Sequence, residues 1–383
     1  MITADACSEA VRAYDAQGIH RTGTRVDADS AEWLVQELAA RGVEGVIEEH
    51  PFSRIDPSDC EVAIGAWKVA GYPLLDSVLP RPGTTIEGVV CGEPGQGRIA
   101  IVQTDGHGQT STIDPLRSQP WAAIVAAVHG ASGGLTLRNV WEFGQPHGPP
   151  VIQVPGEAWE ALVRARDGGA AATIRCGAST TETSAANVIA RVAGADAALA
   201  PIAVLTPRSG WWHCAGERGG GIAIWLEVAR AVRALALQRS IDFVATTGHE
   251  LGFWGIERYC ERHPGAAAAA MCWVHLGANI GAKGTATVVR SATQRLLDAL
   301  GAADGNLGES RVGPTCELRP KPAGGEAQVI AAHGAAYVSM VGAGFSLFHS
   351  STDRWPVAID AEAIARNARL VLQFIRRFEP AAS

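Results

Sequence analysis

The chain opens with segments whose apolar residues recur at helical spacing. In the second of them, Ala31, Leu34, Val35 and Leu38 fall on one helical face, and the segment ends near Gly42. A β-like run, GVIEEH, follows directly. This order predicts that an α/β layer begins here with a helix leading into a strand.

The middle of the chain has a different pattern of apolar and polar residues. Between residues 86 and 175, short apolar runs such as GRIAIVQT and AAIVAAV alternate with Gly- and Pro-rich breaks such as FGQPHGPP. Such runs and breaks are typical of short strands joined by turns. We therefore predict a small inserted β domain over residues 86–177. Residues 1–85 and 178–383 would then form one larger domain around it.

Beyond residue 180, continuous apolar runs alternate with helical patterns. The runs are NVIARV, PIAVLT, SIDFVATT, AMCWVHL and AAYVSMV. Continuous apolar strands separated by helices are typical of a parallel sheet buried on both faces. The predicted fold class is therefore α/β: a mostly parallel mixed sheet covered by helices on both faces, with the β-rich insert.

Polar residues follow the ends of these predicted strands. Arg208 comes after PIAVLT, His249 and Glu250 come after SIDFVATT, His275 ends AMCWVHL, and His349 follows AAYVSMV. In open α/β sheets, ligands bind beyond the carboxyl ends of the parallel strands. The pattern therefore predicts a site made of acids, histidines and an arginine at one edge of the sheet.

Charge and cysteine usage narrow the class of protein. With a formal net charge of −7, the surface does not attract nucleic acid or an anionic membrane, so we expect a small-molecule substrate. No uncharged apolar stretch reaches the roughly 18 residues of a membrane span. The first residues lack a secretory-signal pattern, and the eight cysteines lack paired spacing. We expect a cytoplasmic protein, with a homodimer as its possible assembly.

Five short segments after the predicted strands carry a family resemblance. They read TPRS (206–209), AGERGGG (215–221), GHELG (248–252), VHLGANIG (274–281) and FHSSTD (348–353). Their order and flanks resemble the zinc aminopeptidase and glutaminyl cyclase family over nearly the whole chain. Residues 86–175 resemble the protease-associated insert that many members carry. The resemblance implies a metal-dependent hydrolase on an aminopeptidase fold.

The resemblance also implies a metal-ligand set. Glu217 takes the place of the aspartate that bridges two metal ions in the family, Glu250 matches a metal-binding glutamate, and His349 matches a late metal-binding histidine. Two carboxylates and one imidazole leave a fourth position open, as catalytic zinc sites do. The expected cofactor is one zinc ion per chain.

Four other site positions depart from the family pattern. Thr206 replaces a metal-binding histidine, Arg208 replaces the aspartate that orients it, and His275 replaces a metal-binding aspartate. His249 stands where the family has its general-base glutamate. We therefore predict His249 as base and then acid, and His275 as the group that steadies the oxyanion.

The class of substrate is predicted from aromatic and charged residues of the same segments. Arg208 lies beside Trp212, and a forked cation next to an aromatic surface suits a carboxylate on an apolar body. Glu326 stands where family members have an acidic residue near the substrate. The predicted function is mononuclear zinc-dependent hydrolysis of an amide or related C–N bond in a small carboxylate-bearing substrate.

Simpler interpretations of these residues stay open at this stage. Glu217 and Glu326 also suit the first turn of a helix, and His275 suits a structural place at a strand end. Arg208 could form an ion pair with Glu217 or Glu250 in a metal-free site. The alternative functions are a non-catalytic ligand-binding protein and acyl transfer like that of glutaminyl cyclase.

Overall fold

The computed structural model describes residues 1–106, 112–308, 313–318 and 324–380. Its strands are β1 (Gly45–Ile64), β2 (Trp67–Ala70), β3 (Tyr72–Pro73), β4 (Thr85–Val90), β5 (Arg98–Asp105), β6 (Ala123–His129), β7 (Val151–Pro155), β8 (Ala171–Val192), β9 (Ile202–Pro207), β10 (Ile241–Thr246), β11 (Cys272–Leu276), β12 (Ala286–Ser291), β13 (Thr315–Leu318) and β14 (Tyr337–Ala343).

The helices come from all parts of the chain. They are α1 (Ala4–Asp15), α2 (Arg25–Ala40), α3 (Asp114–Arg117), α4 (Trp159–Asp167), α5 (Gly220–Arg233), α6 (Trp254–Arg262), α7 (Ala266–Ala269), α8 (Gln294–Leu307), α9 (Glu326–Ala332) and α10 (Ala361–Arg376). A 3-10 turn, Gly156–Ala158, precedes α4, and a π-helical turn, Ala215–Gly219, precedes α5.

The strands of the described residues form one mixed sheet. Its order is β13-β12-β14-β11-β9-β10-β8-β4-β5-β6-β7-β3, with β1 paired to β8 and β2. β9 runs parallel to β10 and β11, and β11 runs parallel to β14. The predicted α/β class with a mixed sheet is confirmed.

Helices cover both faces of the sheet because its central strands are apolar on both sides. In β9, Ile202 and Val204 pack into the core that contains α1, α2, α5, α8 and α10, whereas Ala203 and Leu205 pack with α6, α7 and α9. Alternate residues of a strand point to opposite faces, so a continuous apolar run suits this double burial.

The predicted apolar face of α2 is buried except at Val35, which is partly buried. Ala31, Leu34 and Leu38 are each at most 1% exposed. Thr24 caps the helix, because its side chain accepts a hydrogen bond from the backbone N–H of Asp27 at 3.3 Å. The cap fixes the start of α2, so that the side chain of Asp27 lies near the ends of the central strands.

The segment predicted as an insert extends the sheet. Strands β4 to β7 run parallel to one another, and β4 pairs with β8. Two hydrophobic clusters lie around this region, and one of them includes Trp211 and Leu251 from outside it. The division at residues 86–177 stays a prediction, because the sheet runs unbroken from β10 through β8 into β4.

Candidate active site

A pocket of about 180 Å³ opens beyond the carboxyl ends of the central parallel strands. Three histidines and two arginines contribute to its wall: His249, His275, His349, Arg138 and Arg290. The edge of the sheet is where ligands bind in such folds. The predicted histidines therefore meet in one place, whereas neither arginine was predicted.

His249 is held by an ion-pair partner on α9. Its Nδ1 lies 2.8 Å from Oε1 of Glu326, the first residue of that helix, which is fully buried. An ionised carboxylate only accepts hydrogen bonds, so Nδ1 of His249 carries the proton and Nε2 is the basic nitrogen. The ring also packs edge-on against Phe253, with centroids 5.1 Å apart. These contacts fix the orientation of the imidazole at the pocket wall.

The charge state of this pair follows from its surroundings. Burial lowers the pKa of His249, and the guanidinium of Arg218 lowers it further, against the opposing effect of Glu326. Burial opposes ionisation of Glu326, but its contacts with His249 and His275 hold the pKa of this carboxyl well below its usual range. At neutral pH the pair is therefore a neutral imidazole beside a carboxylate, which is the form that accepts a proton.

His275 lies on the other side of Glu326. Its Nε2 lies 3.2 Å from Oε2 of Glu326, and its Nδ1 lies 2.9 Å from Oγ of Ser339 on the neighbouring strand β14. Both ring nitrogens are thus engaged. The predicted oxyanion role of His275 is not supported by this geometry, and the residue instead helps to position Glu326. Glu326 likewise holds the two histidines rather than the substrate.

Glu217 lies in the π-helical turn, a feature that is often found at functional sites. Its backbone N–H and that of Gly216 donate to the carboxyl of Asp353, at 2.9 and 2.6 Å. Its own Oε1 lies 2.7 Å from Nη2 of Arg218 and 3.4 Å from Nε2 of His349. Burial would raise the pKa of Glu217, but Arg218 and His349 hold it below the ordinary value.

Arg218 is a buried cation that the sequence interpretation missed. Its side chain is completely buried, and Nε donates to the backbone carbonyl of Ser209 at 2.9 Å. Within the described part of the chain, Nη1 and Nη2 have no hydrogen-bond partner of good geometry, although Nη2 is close to Glu217. The sequence signal for this cation is its position directly after Glu217 in GERGGG.

His349 lines the pocket, and neither of its ring nitrogens makes a hydrogen bond to a described residue. The residue is 2% exposed. Its backbone has a positive φ of 57°, and its carbonyl accepts a hydrogen bond from Nε1 of Trp212 at 2.9 Å. Such strain is concentrated at functional sites. Trp212 thus supports His349 through the backbone and does not line the pocket.

Glu250 is engaged by neutral hydrogen-bond donors. Its Oε1 accepts from the backbone N–H and the hydroxyl of Thr22, at 3.0 and 2.6 Å, and its Oε2 accepts from the hydroxyl of Ser209 at 2.7 Å. The side chain is fully buried. Both carboxylate oxygens therefore serve to join the N-terminal segment to the sheet edge.

The residues do not fit the metal site that the resemblance implied. Glu217 and His349 are adjacent, but both carboxylate oxygens of Glu250 are engaged by Thr22 and Ser209, and Arg218 places a permanent positive charge against Glu217. Across the described ranges, no three His, Cys, Asp or Glu side chains are arranged to hold a metal ion. We therefore derive no chemical step through zinc.

Arg208 is placed away from the pocket. It is 1% exposed, its Nη1 lies 2.8 Å from Oδ1 of Asp27, and its Nη2 donates to the carbonyl of Ala186. The substrate-binding role predicted for it is not supported. The ion pair with Asp27 also differs from the alternative partners considered, Glu217 and Glu250. Arg208 instead ties α2 to the sheet.

The residues that sequence reasoning missed in the pocket come from distant segments. Arg138 and Trp141 belong to the loop between β6 and β7, and Arg290 belongs to β12. Arg138 donates to Oγ1 of Thr104 at 2.6 Å, and Nε of Arg290 donates to Glu317 at 3.2 Å. No local motif marks these residues, because only the tertiary fold brings them to the histidines.

Comparisons with known proteins relate the chain to a peptidase family. The pattern of Peptidase family M28 matches residues 187–375. No curated protein matches the sequence. Within the described chain, no helix has both the length and the apolar character needed to cross a membrane.

Solved structures share the fold at low sequence identity. A zinc aminopeptidase from Bacillus subtilis aligns with a TM-score of 0.79 and 16% identity, over 99% of this chain and 96% of its own. An aminopeptidase from Aneurinibacillus sp. strain AM-1 gives 0.74 and 17%, over 100% and 95%. Glutaminyl cyclase from Fimbriiglobus ruber gives 0.57 and 13%, over 98% and 95%. At these identities the likeness shows the fold. Residues 187–375 therefore match Peptidase family M28, and the predicted resemblance of the chain to zinc aminopeptidases and glutaminyl cyclases is confirmed.

Proposed function

We propose that the protein hydrolyses an amide or related C–N bond in a small substrate that bears a carboxylate. The observation that carries the proposal is the pair formed by His249 and Glu326 at the pocket wall. The Peptidase family M28 match and the aminopeptidase-like fold support a hydrolase or acyl-transfer reaction.

His249 supplies the base in this proposal. Its neutral Nε2 takes a proton from a water molecule as the oxygen attacks the substrate carbonyl. Glu326 accepts a hydrogen bond from the Nδ1–H group throughout the reaction and stabilises the imidazolium that forms. When the C–N bond breaks, the imidazolium returns the proton to the leaving nitrogen, so the products are a carboxylic acid and an amine.

His349 takes the oxyanion role that the sequence assigned to His275. It lines the pocket, and its ring nitrogens hydrogen-bond no other described residue. An N–H of this ring is therefore available to the developing oxyanion, and a preorganised donor stabilises that charge better than water does. Oε1 of Glu217 lies 3.4 Å from Nε2, so the ring serves Glu217 and the oxyanion together as the imidazolium, in which both nitrogens carry protons.

The substrate class follows from the size and charge of the pocket. A volume of about 180 Å³ suits a small molecule. Arg138 and Arg290 both line it, and guanidinium groups bind carboxylates through paired hydrogen bonds. In this proposal Arg138 and Arg290, and not Arg208, bind the carboxylate of the substrate.

Zinc is not part of this mechanism, because the donor set does not fit it. The relatives titled as zinc aminopeptidases are similar in fold. In this chain, however, Glu250 is held by Thr22 and Ser209, and Glu217 is paired with Arg218.

The test is turnover of N-acyl amino acids and their neutral amide analogues by the wild type and two histidine variants. His249→Ala should lower kcat by roughly 10²- to 10⁴-fold, the usual contribution of general acid–base catalysis. His263→Ala is the control, because His263 contacts Glu48 at 2.7 Å and does not line this pocket. Normal turnover by His249→Ala would remove the proposed base. Tight binding of the acids without any turnover would replace the proposal with a ligand-binding function, and cyclised or transferred products would indicate acyl transfer.

A further inference from the structure

A buried cation of the protein itself lies beside Glu217, behind the pocket wall that His349 forms. The guanidinium of Arg218 is completely buried and lies 2.7 Å from Oε1 of Glu217. Glu217 is the residue that the family resemblance made the central metal ligand. We propose that Arg218 supplies the permanent positive charge of this site in place of a metal ion.

The packing around Arg218 fixes its position. Nε donates to the carbonyl of Ser209, and the hydroxyl of the same residue donates to Glu250 at 2.7 Å. Arg218 is thus joined to Glu250 through Ser209 and contacts Glu217 directly. Since a buried carboxylate without a positive partner is costly, Glu217 requires a cation at this place, and Arg218 provides it.

The other groups around Glu217 are those that a metal would use. Nε2 of His349 lies 3.4 Å from Oε1 of Glu217, and Sγ of Cys214 lies 3.7 Å from Oε2. Imidazole, thiolate and carboxylate are the usual zinc ligands. Among the described residues these side chains are not arranged around one point as the ligands of an ion. Arg218 and a divalent cation would repel each other strongly in a buried site, so the guanidinium keeps an ion from drawing these donors together.

The first measurement uses the wild-type protein alone. Zinc content after purification in zinc-supplemented medium, and the shift of the melting temperature on adding zinc, are measured together. The account predicts no stoichiometric zinc and no shift. About one tightly bound zinc ion per chain, as in catalytic zinc sites, would overturn the proposal.

The second measurement tests whether Arg218 is the cause. Arg218→Met removes the charge at similar length, and Arg218→Lys keeps it. Zinc affinity should rise by roughly 10- to 100-fold in Arg218→Met, the range over which neighbouring groups tune metal affinity, and should stay unchanged in Arg218→Lys. A folded Arg218→Met variant with unchanged zinc affinity would contradict the proposal.

A double variant guards against misfolding. Arg218→Met leaves Glu217 buried without a partner, so Arg218→Met with Glu217→Gln removes both charges and should fold without gaining zinc affinity. Gain of zinc affinity by the double variant would show that Glu217 is not the anion that Arg218 neutralises. These measurements of metal binding do not depend on whether the protein hydrolyses amides.

Discussion

Nδ1 of His249 lies 2.8 Å from Oε1 of Glu326, although 77 residues separate the two in sequence. The contact joins the turn after β10 to the first residue of α9. Since Glu326 also contacts His275, one carboxylate orients two rings at the pocket wall.

Replacing Glu326 by Gln should lower kcat by roughly 10²- to 10⁴-fold with little change in KM, because a neutral amide no longer fixes the tautomer of His249. The pH profile of kcat/KM tests whether Glu326 acts through the pKa of His249. Activity of the wild type should fall as the pH drops below the ordinary histidine value of 6.5, because burial and Arg218 lower the pKa of His249. In Glu326→Gln this acidic limb should move to lower pH, since the carboxylate that raises the pKa is gone. An unmoved limb would show that Glu326 does not act through His249.

Gly325 controls how closely α9 approaches the histidines. Its φ is +76°, and a Cβ there would lie 3.0 Å from Cε1 of His275. Gly325→Ala should therefore lower kcat/KM by roughly 10- to 100-fold, because small misplacements of catalytic groups cost that much. Gly265→Ala is the control: its φ is also positive, at +81°, and no atom lies within 4 Å of the added Cβ.

Gly265→Ala should lose about 1 kcal/mol of unfolding free energy, since alanine is strained at positive φ. Gly325→Ala should lose about 1 to 3 kcal/mol, because its φ of 76° with a ψ of −160° is a conformation that essentially only glycine adopts. Only Gly325→Ala should lose activity. Equal activity of the two variants would show that the position of α9 does not matter for turnover.

The sequence was sufficient for the sheet and for the place of the site. Continuous apolar runs such as PIAVLT predict buried parallel strands, and the polar residues after them predict the pocket edge. His249, His275 and His349 all line the pocket as a result. These inferences succeed because they depend on local pattern and on a general property of parallel sheets.

The partners of the charged residues could not be inferred in the same way. Arg208 follows a central strand, yet its charge is balanced by Asp27, 181 residues away in sequence. Glu250 is likewise held by Thr22 on the N-terminal segment. Which buried acid meets which buried base is decided by the packing of distant elements, and neither spacing nor a family motif specifies it.

Arg290 should control affinity for the substrate carboxylate. Arg290→Met should raise KM for an N-acyl amino acid by roughly 10- to 100-fold, the value of one charged hydrogen bond, and leave the neutral amide analogue unaffected. Its pair with Glu317 is partly exposed, so its loss should cost at most about 1 kcal/mol of stability. Arg175→Met, which removes another exposed ion pair, is the control. An equal rise in KM for both substrates would exclude carboxylate recognition by Arg290.

His20 should make the fold sensitive to acid. Burial, with the ring stacked on Tyr14 at 3.7 Å, and the charge of Arg208 lower the pKa of His20 to about 3, against the opposing effect of its hydrogen bond to the carbonyl of His213. The unfolded chain takes up this proton near pH 6.5, whereas the native state does not until about pH 3. Stability from this group is therefore present above 6.5 and is lost as the pH falls, by about 1.4 kcal/mol per pH unit.

Urea unfolding between pH 7 and 4 measures this effect. His20→Asn keeps a neutral donor and should flatten the dependence, whereas His333→Asn on the surface should not. If His20→Asn loses stability with the same slope as the wild type, another group is responsible.

The most direct test of the account is turnover of a carboxylate-bearing amide by the wild type and by His249→Ala, each with and without a strong chelator. If the His249 and Glu326 pair performs the reaction beside the charge of Arg218, wild-type turnover should be unchanged by chelator, and His249→Ala should be slower by roughly 10² or more in both conditions. Turnover that is lost in chelator, restored by zinc and insensitive to His249→Ala would contradict the account.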